Sequence, residues 1–189
     1  MLAALGALTL GSAVDAAAET LGQEWIARST TSAKGNGAEI VGGDRFRLVN
    51  NRIDKALVYG SRKHGINLVW GAISDKGSDA YFVTEGSGEE VVRYGDNVAL
   101  AITGNPKPER AFLKYKSRDY GINLDWTTAK EYEWKVSGGG KGSPVRYGDE
   151  FLLFNARESS TGGFLYYKER KYGINLRWRG TLGCPNGDC

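Results

Sequence analysis

The hexapeptide Gly-Ile-Asn-Leu-x-Trp occurs three times in this chain, ending at Trp70, Trp126 and Trp178. The spacing is nearly even: 56 residues from Trp70 to Trp126 and 52 from Trp126 to Trp178. A period of that size marks a chain built from one supersecondary unit written several times, each copy unable to bury its apolar face alone. More than the hexapeptide recurs. Gly43-Asp44, Gly95-Asp96 and Gly148-Asp149 each open an apolar run, and aromatic stretches precede them in "EWIAR", "AYFVT" and "YEWKV". Then come "ALVYGSRKHGINLVW", "FLKYKSRDYGINLDW" and "FLYYKERKYGINLRW".

Each copy reads as four short strands. The aromatic opener is the first, and the run after Gly-Asp is the second. In that run Phe46 and Leu48, then Val98, Leu100 and Ile102, then Phe151 and Leu153 alternate with period two, which predicts one buried face. "FLYY" and its equivalents make the third strand. Ile-Asn-Leu-x-Trp makes the fourth, with Ile, Leu and Trp on one face. The x position holds Val69, Asp125 or Arg177, which predicts an outward site that tolerates any side chain. The repeats carry no helical periodicity. With 27 Gly against 4 Pro, the connections read as glycine turns rather than as a disordered linker.

The net charge of +3 is small beside the dense Lys and Arg of nucleic-acid binders, so no nucleic-acid partner is expected. Cys184 and Cys189 flank the turn chemistry of "CPNGDC". A small disulfide loop formed in an oxidising compartment is expected, with an exposed reduced tail as the other reading. Two thiols are too few for a structural zinc site. The apolar run Leu2 to Val14 has signal-peptide length, and Ala16-Ala17-Ala18 supplies small residues for cleavage, although Arg28 is the first basic residue. The run is too short to span a bilayer. Two further readings stay open: an Ala-rich helix, with Leu2, Leu5 and Leu8 at helical spacing, docked on the domain or a partner, and a membrane-active segment.

Twelve strands in three units of about 50 residues resemble the β-trefoil superfamily, over about residues 23–182. The repeats are 23–71, 72–127 and 128–180. Segment 1–22 is the signal peptide or docked helix, and 183–189 is the Cys loop. The resemblance implies an all-β fold in which six strands close a barrel and three hairpins cap it. It also implies that Ile66, Leu68 and Trp70 meet Ile122, Leu124, Trp126, Ile174, Leu176 and Trp178 in one layered core.

That core does not explain Asn67, Asn123 and Asn175, which share a side with the variable x residue. Among β-trefoils the chain is similar to the ricin-B-type lectins, which build a sugar pocket in each repeat from an acid, an aromatic ring and an Asn. The resemblance implies a secreted, non-catalytic lectin-like module with up to three equivalent weak pockets. Their residues would be Asp44, Tyr59 and Asn67, then Asp96, Tyr115 and Asn123, then Asp149, Tyr167 and Asn175. The lectins' Gln-x-Trp signature is replaced, since Leu68, Leu124 and Leu176 precede each Trp by two. Strand alternation sets each Tyr on the face of Leu57, Leu113 or Leu165, leaving its hydroxyl at the rim. A structural reading stands beside each role: the Asn bonds nearby backbone, and the Asp closes a turn.

Arg62, Arg118 and Arg170 recur before the hexapeptide and could contact an anion such as sulfate, sialic acid or phosphate, or pair with a nearby acid. His64, the single His, stands where Tyr120 and Tyr172 stand in the other copies and reads as a surface variant. With no reactive Cys, phosphate loop or metal-ligand cluster, the sequence points away from an enzyme and implies no cofactor and no metal. The alternative function is a protein-interaction subunit, an inhibitor, assembly or toxin-accessory component. It would bind through the N-terminal helix and loops, chiefly "TGNPKPER" at 103–110.

Overall fold

The computed structural model describes residues 24–31, 34–75, 77–107, 109–158 and 162–180. The expected signal peptide or docked helix at 1–22 lies outside the described residues, as do residues 23, 181 and 182 and the Cys184–Cys189 loop.

The described residues form an all-β structure of twelve strands. The first copy supplies β1 (Trp25–Ser29), β2 (Phe46–Asn50), β3 (Lys55–Tyr59) and β4 (Leu68–Gly71). The second supplies β5 (Ala80–Thr84), β6 (Asn97–Ile102), β7 (Phe112–Tyr115) and β8 (Leu124–Thr127). The third supplies β9 (Trp134–Ser137), β10 (Glu150–Asn155), β11 (Gly163–Tyr167) and β12 (Leu176–Gly180). Strands β1, β2, β5, β6, β9 and β10 pair antiparallel in that order, and β10 returns to β1 with Trp25 opposite Phe151. They close a six-stranded barrel, which leaves these strands no free edge for aggregation. The hairpins β3–β4, β7–β8 and β11–β12 hang from β2, β6 and β10.

Burial follows the period-two pattern. Phe46, Leu48, Val98, Leu100, Ile102, Phe151 and Leu153 are all buried in one cluster. Ile66, Leu68, Ile122, Leu124, Ile174 and Leu176 join it, and Trp70, Trp126 and Trp178 pack against it half-buried. Each such aliphatic side chain contributes about 1.5–3 kcal/mol through burial. The recurring Ile, Leu and Trp therefore exist to fill one shared core from three hairpins.

Two expectations are corrected on the outer faces. The second face of β2 is buried as well: Val49 joins Ile26, Ala56 and Val58 in a side cluster. Val69 covers that cluster, so the x position of the first copy is half-buried rather than outward. Arg47 lies on this face and is only 7% exposed. A cation there needs a partner, and Arg47 has an ion pair with Asp79 and an Nε–H bond to the Ile73 carbonyl at 3.1 Å.

The barrel ends are closed in different ways. At one end the Ile40 N–H donates to Val145 O (2.9 Å), Val145 N–H to Val92 O (2.8 Å) and Val92 N–H to Ile40 O (2.9 Å). This ring of three backbone bonds is buried under three aliphatic side chains. At the opposite end the hairpin loops meet at glycine. A Cβ on Gly121 would lie 4.0 Å from the Gly65 Cα, and one on Gly173 3.8 Å from the Gly121 Cα. β1 runs between the two ends. It starts beside the hairpins, where the Trp25 indole N–H donates to Leu165 O at 2.8 Å and the ring stacks on Trp70, and it leads into the loop carrying Ile40.

Candidate functional site

The three aspartates sit at the loop end. Each closes a four-residue turn whose third residue, Gly43, Gly95 or Gly148, has a positive φ of 84°, 96° or 89°. Glycine adopts that conformation without strain. The Asp44, Asp96 and Asp149 N–H groups donate to Val41, Arg93 and Arg146 carbonyls, and their carboxylates accept the N–H of the same residues at 2.8, 2.8 and 3.0 Å. Two reach further. Asp149 meets the Tyr94 hydroxyl at 3.4 Å, and Asp44 meets Tyr147 and is paired with Lys34 at 2.5 Å. Burial, reinforced by these carboxylates, pushes the Tyr94 and Tyr147 phenols up to about 12. The repeated Gly-Asp is thus accounted for by turn closure.

The Tyr and Asn residues sit at the hairpin end. Asn67, Asn123 and Asn175 each accept, through Oδ1, the N–H of Arg62, Arg118 or Arg170, at 3.0, 3.1 and 3.1 Å. These bonds close the loop before each fourth strand. Asn67 and Asn123 donate from Nδ2 to the Tyr59 and Tyr115 hydroxyls at 3.2 and 3.4 Å. The Tyr rings lie inward: Tyr59 against Trp126, Tyr115 against Trp178 and Tyr167 against Trp70, with centroids 5.9, 6.2 and 5.9 Å apart. The structure therefore brings Tyr and Asn of one hairpin together and holds the Asp of the same copy at the far end of the barrel. The expected triads Asp44–Tyr59–Asn67, Asp96–Tyr115–Asn123 and Asp149–Tyr167–Asn175 are not assembled.

Another constellation forms between the second and third hairpins. A shallow depression of about 330 Å³ is lined by Gly121, Ile122, Asn123, Arg170, Arg177 and Trp178. Trp178 is held from behind by Trp134, stacked at 5.8 Å and 28°. Asn123 carries the Tyr115 hydroxyl, which also meets the Glu158 carboxylate. Burial, then the nearby Glu158 charge, raises the Tyr115 pKa and keeps its phenol protonated. Arg170 is fixed by Nη1–H to its own Leu176 carbonyl at 3.2 Å and Nη2–H to the Gly121 carbonyl of the neighbouring hairpin at 2.9 Å. Tyr120 and Tyr172, 88% and 75% exposed, directly precede the glycines where the loops meet.

The equivalent arginines end differently. Arg118 bonds its own Leu124 carbonyl at 2.7 Å and pairs with Asp125 at 2.8 Å, and Lys116 takes the same carboxylate at 2.9 Å. Burial works to raise the Asp125 carboxyl, and Lys116, the Trp126 N–H and Arg118 together hold it below the usual carboxylate range. In the first copy the x position holds the neutral Val69, which offers Arg62 no carboxylate there. Of the sequence candidates, Asn123 and Arg170 line the depression, and Tyr115 touches it only through its bond to Asn123. Arg177, Trp178 and Glu158 were missed as functional residues. The signal for Arg177 was its variation: it occupies the one hexapeptide position that differs in every copy. Glu158 had no signal, since it comes from a turn after β10 that the repeats do not share.

The 103–110 loop is held by its own bonds, including Asn105 Nδ2–H to Arg110 O at 2.9 Å. Among the described residues no group of His, Cys, Asp and Glu side chains is placed to hold a metal ion. Compared with family models, with curated proteins and with solved structures, the chain finds no match.

Proposed function

We propose that the chain is a β-trefoil that binds carbohydrate without catalysis, through the depression between its second and third hairpins. The cyclic order of six barrel strands, the three hairpins and the three sequence copies support the trefoil. The binding reading is carried by one observation: an amide (Asn123, which donates to the Tyr115 hydroxyl), two guanidiniums (Arg170 and Arg177) and an indole (Trp178) line one open depression. Planar polar groups grip adjacent sugar hydroxyls, and an aromatic face takes the apolar C–H side of the ring. The exposed Tyr120 and Tyr172 add aromatic surface beside it. The three hairpins differ in charge at x, so their sites are inequivalent rather than three equal pockets. Such a module acts outside the cell, where glycans are displayed.

A glycan array probed with the full chain and its Tyr115→Phe and Tyr120→Ala variants tests this. Each loses a hydrogen bond or a stacking surface, so bound glycans should weaken roughly tenfold. Asp149→Ala serves as the contrasting variant. It should bind normally while losing about 1–2 kcal/mol of stability, because it leaves the Arg146 N–H unpaired. Normal binding by the tyrosine variants with loss in Asp149→Ala would move the pocket to the loop end. A folded chain that binds no glycan would shift the reading to protein contact through the 103–110 loop.

A further inference from the structure

We infer that this depression selects a saccharide carrying an anionic group, a carboxylate or a sulfate, held between Arg170 and Arg177; the inference rests on the sugar-binding reading above. The argument is a comparison of equivalent positions. In the second hairpin the equivalent Arg118 is ion-paired within the protein to Asp125. In the third hairpin the residue at the Asp125 position is Arg177, so the charge facing Arg170 is reversed. Among the described residues neither Arg170 nor Arg177 is in an ion pair.

Two guanidiniums lining one depression repel each other, and that repulsion is relieved when an anion sits between them. Their effect on one another is visible: burial first, and the Arg177 charge second, lower the Arg170 pKa. Arg170 is also preorganised. Its carbonyl bonds to Leu176 and Gly121 use two of five N–H donors and fix the plane of the fork, leaving donors for a ligand. Arg177 is exposed and lines the same depression, which puts a second guanidinium within the site. Trp178 and Asn123 then meet the sugar that bears the charge.

The test uses the full chain with matched pairs of oligosaccharides, sialylated against desialylated and sulfated against unsulfated, and with inorganic sulfate alone. The acidic member of a pair should bind roughly tenfold to hundredfold tighter, the range of one or two charge-assisted hydrogen bonds, and the advantage should shrink as salt rises. Arg177→Asp should erase that advantage, with the acidic member of each pair weakened far more than the neutral one. Arg177 is exposed, so its variants keep the fold, which a melting curve checks. Equal binding of acidic and neutral members would overturn the anionic selectivity while the sugar reading stands. Tight binding of inorganic sulfate with no gain from the attached sugar would leave an anion site and overturn the sugar reading. No binding of any probe would overturn both.

Discussion

Replacing Trp134 with alanine is expected to lower the unfolding free energy by about 3–5 kcal/mol, the range for removing a fully buried tryptophan. Trp134 is 0% exposed, stacks on Trp178, and donates its indole N–H to the Leu113 carbonyl at 2.8 Å. It belongs to the third copy, yet its hydrogen bond lands on the hairpin of the second. The truncation therefore opens a cavity and orphans a carbonyl at a joint between copies. Trp25 makes the same two contacts, with Trp70 and Leu165, across the joint between first and third copies. It should lose a similar amount. The second copy has Ala80 at this point in its opener, so no third staple exists to remove. Urea unfolding of the two alanine variants beside the parent chain measures both losses. A loss under about 1 kcal/mol at Trp134 would mean the site relaxes around the gap and the indole is no staple.

The missing third staple shows where sequence reading works and where it stops. Repetition made the architecture legible, because three copies must fill one core and their Ile, Leu and Trp cannot drift. It also exposed the repeated aspartates, for which turn closure was one of two readings, and their carboxylates do close turns by accepting the N–H of Val41, Arg93 and Arg146. The candidate site was less legible for the opposite reason. Residues that recur did so for loop closure: Asn67, Asn123 and Asn175 are used by backbone N–H groups five residues earlier. The distinctive chemistry sits at positions that differ between copies, such as Arg177 against Asp125, and on a non-repeated turn residue, Glu158. Nothing in one sequence marks Glu158 as the neighbour of a tyrosine in a different copy. The buried face of Arg47 and Val49 was hidden for a related reason: alternation predicts one buried face, whereas a strand covered on both sides buries two.

Glu133 is the second position where a large effect is expected, and here the pH dependence carries a sign opposite to that of most carboxylates. Its side chain is 4% exposed; Oε1 accepts the Tyr115 N–H and the Asn155 amide at 3.0 Å, and Oε2 is ion-paired with Arg157 Nε at 3.2 Å. It thereby clips the second hairpin to the third copy. Glu24 does the same for the third hairpin, accepting the Tyr167 N–H at 2.7 Å, and Ser78 does it for the first, accepting the Tyr59 N–H at 2.7 Å. Burial is the strongest influence on the Glu133 carboxyl and raises its pKa, despite the two donors and the Arg157 charge that oppose it. A raised folded-state pKa means the native protein binds this proton more tightly than the unfolded chain. The Glu133 contribution to stability therefore improves as pH falls through the raised value toward 4.5, and is flat below that. Glu133→Ala leaves the Tyr115 N–H and the Asn155 amide without acceptors, so it should cost about 2–4 kcal/mol near neutral pH. Glu133→Gln keeps an acceptor oxygen for both and lets Arg157, 59% exposed, rely on Glu131 at 2.9 Å. It should cost about 1 kcal/mol and remove this part of the pH slope. Unfolding curves from pH 4.5 to 7.5 on the three proteins separate the roles. Equal losses in the two variants would show that the negative charge holds the hairpin, whereas the expected ordering shows that the acceptor oxygen does.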